Sequence, residues 1–326
     1  MTTPNPTPVT IPSTRSDRSS LHPEGSSVEE DASSFLGWMS NEDDTSFQSS
    51  LSDDTCMPRS IIQEGIPEID RLNEQHYMIK HVLGGQIHLS PMPLPPSGPR
   101  SILDVGCGSG IWLMEAGDLY KNAQCTGIDQ TTEFIPSSIA SGRFHIVEAD
   151  VQEGLPFPDD SFDFLFHRFL YVGAPNLDWD EYFSEAFRVC QPGATIEVVE
   201  TSGLTCRQGP NTQRIQSIIE TSVLLDARKS RRVVSQIGKC MNRAGFQDIN
   251  RHIISIPLGS WGGRVGKTAL RSVMDILERA KPVILAQNAS LSEEDLETLF
   301  NEYTVEVDQY RSFWNISIYV ANKPRD

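Results

Sequence analysis

The chain is short of most features that would declare a function outright. Only six of its 326 residues are cysteine, at positions 56, 107, 125, 190, 206 and 240, and no two form a Cys-x-x-Cys pair. No histidine pair stands at zinc spacing either, so the pattern of a structural zinc site is missing. Single, scattered thiols point to a reducing compartment. No apolar stretch reaches the ~20 residues of a membrane span, and the amino terminus lacks a hydrophobic signal core, so cytosol or nucleus is the expected location. Cationic residues are scarce: 27 Lys and Arg stand against 44 Asp and Glu, a net charge of −17. Without a basic stripe, nucleic acid is not expected as a direct ligand.

What is present changes along the chain. Residues 1–57 are rich in Ser, Thr, Pro, Asp and Glu and lack the apolar periodicity of a core, so they read as a disordered acidic tail. Within that tail, residues 29–54 interleave acids with Phe35, Leu36, Trp38, Met39, Phe47 and Leu51. Such alternation can dock on a protein partner as a short induced helix, and it also occurs in plain solvated tails. Residues 58–98 read as a helical lead-in followed by a proline-rich connector. Ile69, Leu72, His76, Ile79 and Leu83 recur near a 3.6 period, Gly84-Gly85 stops the helix, and Pro91 to Pro99 cannot continue it. From residue 99 to 326, strands and helices alternate, which predicts a parallel sheet with crossover helices. Strands are expected at 101–105, 125–129, 143–148, 162–166, 194–199, 249–256 and 313–321, with a helical insert between the last two.

The run Leu103-Asp104-Val105-Gly106-Cys107-Gly108-Ser109-Gly110 is the most informative stretch. An apolar strand runs into a turn bare of Cβ atoms and then into a helix, which lets backbone approach a nucleotide-like ligand. The dinucleotide spacing Gly-x-Gly-x-x-Gly fails in both registers, because the third glycine would fall at Ile111 or Leu113. A phosphate loop fails as well, since no Gly-Lys-Ser/Thr follows. The fit is to Asp-x-Gly-x-Gly-x-Gly, which resembles motif I of the class I S-adenosylmethionine (SAM) methyltransferases.

Further stretches carry the resemblance in order. Asp129 closes the second strand, 23 residues after Gly106, where an acid can accept both ribose hydroxyls. Leu155 to Asp163 is similar to the loop entering the fourth strand of these enzymes, and Arg188 to Ala194 to their helix-turn-strand motif. The lead-in Glu68 to His76, the extended motif Gly110-Ile111-Trp112 and the segment Ile256 to Gly262 resemble the fungal LaeA-like methyltransferases in particular. That resemblance implies a Rossmann-like α/β fold with a seven-stranded, mostly parallel sheet of order 3-2-1-4-5-7-6, and a helical cap from about 203–232 and 259–312. It implies SAM as cofactor and a small secondary-metabolite-type acceptor methylated on O or C; no metal is expected, since no carboxylate cluster stands at strand ends with Mg-like spacing. Members are linked either to tailoring of secondary metabolites or to their control through protein partners, and both readings stay open.

The cofactor-binding residues expected on this basis are Asp104, Gly106, Cys107, Gly108, Gly110, Asp129, Gln130, Asp150, Val151 and His167, with Tyr77 reaching in from the lead-in helix. Arg71 is either a contact for the methionine carboxylate or a helix-surface ion pair. A neutral hydroxyl acceptor would call for a base, and His167 and Glu200, near the ends of strands four and five, are the candidates. The family's His-x-Arg after strand four is altered here: Arg168 keeps its place, but Phe166 stands where the histidine would be.

Overall fold

The computed structural model describes residues 67–91, 98–137, 139, 143–174, 177–222 and 227–325. All of them belong to one of two units into which the chain divides, Asp53–Asp326. The acidic tail, its docking stretch at 29–54 and most of the proline-rich connector lie outside the described residues.

Helix α1 (Pro67–Val82) leads into β1 (Ser101–Val105), α2 (Ile111–Leu119), β2 (Gln124–Asp129), β3 (Phe144–Glu148) and β4 (Phe162–Arg168). A single turn, α3 (Leu170–Gly173), precedes α4 (Trp179–Val189) and the long strand β5 (Cys190–Cys206). Then follow α5 (Pro210–Ser222), α6 (Ala227–Ala244), β6 (Gln247–Pro257), α7 (Gly263–Gln287), α8 (Glu293–Gln309) and β7 (Phe313–Asn322). The sheet order is β3-β2-β1-β4-β5-β7-β6, the order expected, with β7 antiparallel to both neighbours and the remaining pairs parallel.

The sheet is buried on both faces, which explains why β1 and β4 read as nearly continuous apolar runs. Ile102, Phe164, Phe166, Val199 and Ile318 pack on one face with α1, α2, α7 and α8. Leu103, Val105, Leu165, Val198 and Tyr319 pack on the other with α4 and α6. These are called the cleft face and the far face below.

Two sequence motifs prove to be one construction. Arg188, near the end of α4, donates Nη1 to Phe157 O at 2.7 Å and to Asp159 Oδ1 at 2.8 Å, and Nη2 to Leu155 O at 2.9 Å. The helix-turn-strand stretch therefore holds the loop that feeds β4. The insert is tied in similarly. Glu306 of α8, almost fully buried, accepts from Asn211 N, Thr212 N and Thr212 Oγ, and so satisfies the free first-turn donors of α5.

Several boundaries differ from expectation. The lead-in helix is described over Pro67–Val82 and ends ahead of Gly84-Gly85. Strand five runs on to Cys206 because β7 pairs with it far beyond Val199, through an irregularity at Thr201/Thr205. In sequence, residues 233–244 read as a helix ended by Gly245; helix α6 starts earlier, at Ala227, and Gly245 at φ +110° ends it with Phe246 N donating to Met241 O.

Gly110 caps α2 in the left-handed region at φ +73°, and a Cβ there would sit 3.1 Å from Ile139 Cδ1. Gly110→Ala is expected to cost about 1–2 kcal/mol, measured by urea unfolding. An unchanged midpoint would contradict the conformation described.

Candidate functional site

The site starts from the turn between β1 and α2. Gly106 and Cys107 both donate their N–H to Ile128 O, at 2.8 and 3.1 Å, and Gly110 N donates to Cys107 O at 2.8 Å. Gly106, Gly108 and Gly110 all have positive φ, from 54° to 73°. The turn therefore folds back over the end of β2, and Gly108 N reaches Asp129 Oδ2 at 2.8 Å.

Beside the turn lies a cleft of about 390 Å³, counting its open mouth. Its floor is Asp104 with Gly106 to Ser109. Leu72 and Gln75 of α1 form one wall, and Ile111, Trp112, Phe166 and Arg168 complete it. The rings of Trp112 and Phe166 lie parallel, with centroids 3.8 Å apart, and Trp112 Nε1 donates to Ile87 O at 2.8 Å. Pairing of β1 with β4 sets Asp104 directly opposite Phe166. Side chains alternate along a strand, so Asp104, Phe166 and Arg168 share the cleft face.

Asp104 is 3% exposed, and its Oδ2 has no hydrogen-bond partner. Burial pushes its carboxyl up to about 7 and Asp129 adds to the rise, against the opposing pull of Arg168. A carboxylate left unpaired in a dry place is costly, so a cationic or hydrogen-donating ligand group would be favoured there. Arg168 is brought down to about 10 by the same desolvation.

Helix α1 is held to this cleft by polar contacts. Ser109 Oγ donates to Asn73 Oδ1 at 2.8 Å. Arg168 Nη2 meets His76 Nδ1 at 3.2 Å, His76 Nε2 meets Glu115 Oε2 at 3.1 Å, and Lys80 Nζ reaches both Glu115 oxygens at 2.8 Å. The irregular segment that leaves α1 is fastened too. Buried Glu197 of β5 accepts from Leu89 N, Ser90 N and Ser90 Oγ, and burial raises its carboxyl to about 6.

Of the residues expected to hold cofactor, Asp104, Gly106, Cys107 and Gly108 line the cleft. Gly110 starts the helix behind them. Asp129 is engaged with the turn and with Thr131 N, and burial raises its carboxyl. Gln130 is exposed just past β2. Asp150 caps the short 3-10 turn Val151–Glu153 by accepting from Gln152 N, and Val151 is buried. These three follow the carboxyl ends of β2 and β3 and are not part of the cleft wall. Tyr77 sits half-buried, edge-on to His76 at 5.3 Å.

Two expectations are corrected. His167 and Glu200 are each 0% exposed and stand on the far face, away from the cleft. His167 Nδ1 meets Tyr182 Oη at 2.7 Å among Trp179, Tyr182 and Phe183, and its Nε2 is 3.6 Å from Glu200 Oε1. Glu200 Oε1 accepts from Tyr171 N at 3.1 Å. With no exposed surface, neither side chain can touch a ligand in the cleft, as base or as cofactor contact. Of the two readings open for Arg71, the helix ion pair is the one seen: its guanidinium is spent on Glu68, at 2.6 and 3.0 Å, and approaches Ser272. The sequence reading assigned no site role to Leu72, Gln75, Ser109, Phe166 or Arg168. The signal was available only in part: alternation along β4 separates Phe166 and Arg168 from His167, but not which pair faces the ligand.

Residues 102–193 match the family described as "Methyltransferase domain". "Secondary metabolism regulator LAE1" of Cochliobolus heterostrophus is 30% identical over 205 residues, 60% of this chain and 64% of that one. "Methyltransferase pytC" of Aspergillus terreus is 27% identical over 202 residues, 60% of this chain and 59% of that one. The matches thus span less than two thirds of the length of these relatives. A solved structure of Haemonchus contortus phosphoethanolamine N-methyltransferase 2 in complex with S-adenosyl-L-methionine is 19% identical, at a TM-score of 0.44, covering 80% of this chain and 61% of that one. Sheet order and glycine turn have the form of the class I methyltransferase fold, and residues 102–193 match a methyltransferase-domain family. The matched part of the chain is similar to fungal secondary-metabolism regulators and methyltransferases.

The far-face pair sets a pH dependence. Burial raises the Glu200 carboxyl from 4.5 to about 8. The folded state therefore holds a proton that the unfolded chain has lost, and the stability this contributes is present below 4.5 and lost as pH rises through about 8. His167, lowered from 6.5 to about 3 by burial, works in the opposite sense, losing its contribution as pH falls below 6.5. Glu200→Gln is expected to flatten the decline of Tm between roughly pH 5 and 9. Parallel Tm curves for variant and wild type would show that Glu200 is ionised in the fold.

Proposed function

We propose that this protein is a SAM-dependent methyltransferase acting on oxygen or carbon of a small secondary-metabolite-type acceptor. The observation that carries the reading is Asp104: a buried carboxyl with an unpartnered oxygen, at the floor of a cleft whose turn is kept free of Cβ atoms. That arrangement suits an elongated ligand with a cationic group at one end and a nucleoside at the other. Asp104, Gly106, Cys107 and Gly108 would hold the amino-acid end, Asp129 the ribose hydroxyls, and Gln130, Asp150 and Val151 the adenine. When bound, SAM supplies a methyl group already activated by its sulfonium.

The chain's own task is then to hold the acceptor in line and keep water out, and positioning of this kind supplies up to about 7–11 kcal/mol. With His167 and Glu200 sealed on the far face, catalysis is read as resting on positioning, with no side chain assigned as base. Cytosol or nucleus as its place, and a small-molecule acceptor as its partner, belong to the same proposal.

Calorimetry should show binding of SAM and S-adenosylhomocysteine but not NAD, and tight NAD binding would overturn the assignment. Because Asp104 keeps its proton up to about 7, a ligand cation beside it favours the ionised form. Affinity for S-adenosylhomocysteine is therefore expected to rise with pH toward 7 and then level. Asp104→Asn should lower it about tenfold or more and flatten that profile. Products heavier by one methylene in a metabolite extract, detected by mass spectrometry, would identify the acceptor.

The match to a secondary metabolism regulator favours a second reading, in which the domain binds SAM but acts through protein partners. Deleting residues 1–57 separates the two. Methyl transfer retained with transcripts unchanged supports the enzyme, while transcripts altered without loss of transfer supports the regulator.

A further inference from the structure

Arg168 is a cation in a desolvated cleft, yet the protein does not neutralise it directly. Its one hydrogen bond among the described residues runs from Nη2 to His76 Nδ1 at 3.2 Å. A guanidinium can only donate, so His76 Nδ1 must be the accepting nitrogen and the ring proton sits on Nε2. That Nε2–H points at Glu115 Oε2, 3.1 Å away, and Glu115 is in turn fixed by Lys80. His76 is 0% exposed, and burial with the nearby Arg168 and Lys80 charges brings it down to about 4 in spite of Glu115. The ring is therefore neutral, in a single tautomer, over the ordinary range.

The result is a line of four side chains drawn from α1, α2 and β4, leading from the half-buried Lys80 to the cleft. It fixes where Arg168 stands without cancelling its charge, because the group in contact with it is a neutral imidazole. Nε and Nη1 have no hydrogen bond among the described residues, and Arg168 lines a cleft that Asp104 also lines. Two opposite charges on one face, beside a glycine turn, make a receptor for a ligand group that is itself a zwitterion.

We propose that Arg168 reads the carboxylate at the amino-acid end of the cofactor, and that His76 is the positioning residue that aims it. This rests on the SAM reading above and adds a specificity to it. The cleft should distinguish S-adenosylhomocysteine, which carries the amino-acid carboxylate, from 5′-methylthioadenosine, a thioether nucleoside without it. It also gives a physical role to the lead-in helix: Leu72 and Gln75 wall the cleft, Asn73 holds Ser109 of the turn, and His76 sets the guanidinium.

The test is calorimetric affinity for both nucleosides across variants of the full chain. Arg168→Gln is expected to weaken S-adenosylhomocysteine about tenfold or more while leaving methylthioadenosine within about twofold. His76→Phe should shift the ratio in the same direction, and His76→Gln, whose amide oxygen can still accept from Arg168, should restore most of it. A ratio unmoved by Arg168→Gln overturns the inference alone. Equal losses for both nucleosides in His76→Phe, without rescue by glutamine, overturn the positioning role and leave His76 a packing residue. A wild-type protein that binds neither nucleoside overturns the cofactor reading, and this inference with it.

Discussion

The parallel pairing of β1 with β4 is the constraint on which the rest of the site depends. It sets Asp104 opposite Phe166, and alternation then places Arg168 on the same face and His167 on the other. A shift of one residue in that register would exchange the two sets and bring the buried histidine, not the arginine, to the cleft. The register is held because each face has its own apolar complement. Phe164 and Phe166 pack with Trp112 toward α2, while Leu165 packs with the aromatic residues of α4. Hydrophobic burial thus decides which polar groups meet the ligand space.

Burial of charge is the second theme, and the two faces handle it differently. On the far face, His167 and Glu200 are sealed by aromatic side chains, and desolvation drives each toward its neutral form. On the cleft face, Asp104 and Arg168 are only partly compensated. Glu197 is more fully satisfied, with the backbone and hydroxyl donors of Leu89 and Ser90 gathered around it, though burial still raises its carboxyl. The contrast separates a carboxylate used to fasten a chain segment from one left free to meet something else.

Much of the architecture could be read from residue pattern. The seven strands and the helical insert before β7 agree with expectation, since period-two and 3.6-period patterns report which faces are covered, while the sheet order agrees with what the family resemblance implied. Element ends were read less well. Cys206 ends β5 only because β7 is there to pair with it, and α6 begins before its apolar periodicity becomes visible. Such limits depend on partners distant in sequence.

The site divides along the same line. The glycine turn and Asp104 at its entry were legible because a turn of this backbone conformation leaves a mark in adjacent residues. His167 and Glu200 looked equally suited to chemistry, being polar residues near strand ends, and nothing local says that α4 and α3 close over them. Arg71 was a candidate in sequence for a charged ligand group and Arg168 was not, until Glu68 was found beside the first and His76 beside the second. Residue type and spacing by themselves determined the class of fold and the presence of a nucleotide-like cleft, because strand, turn and helix are local. Which charges face that cleft was decided only by tertiary structure, because burial, register and the tautomer of a histidine are set by neighbours the chain brings from far away.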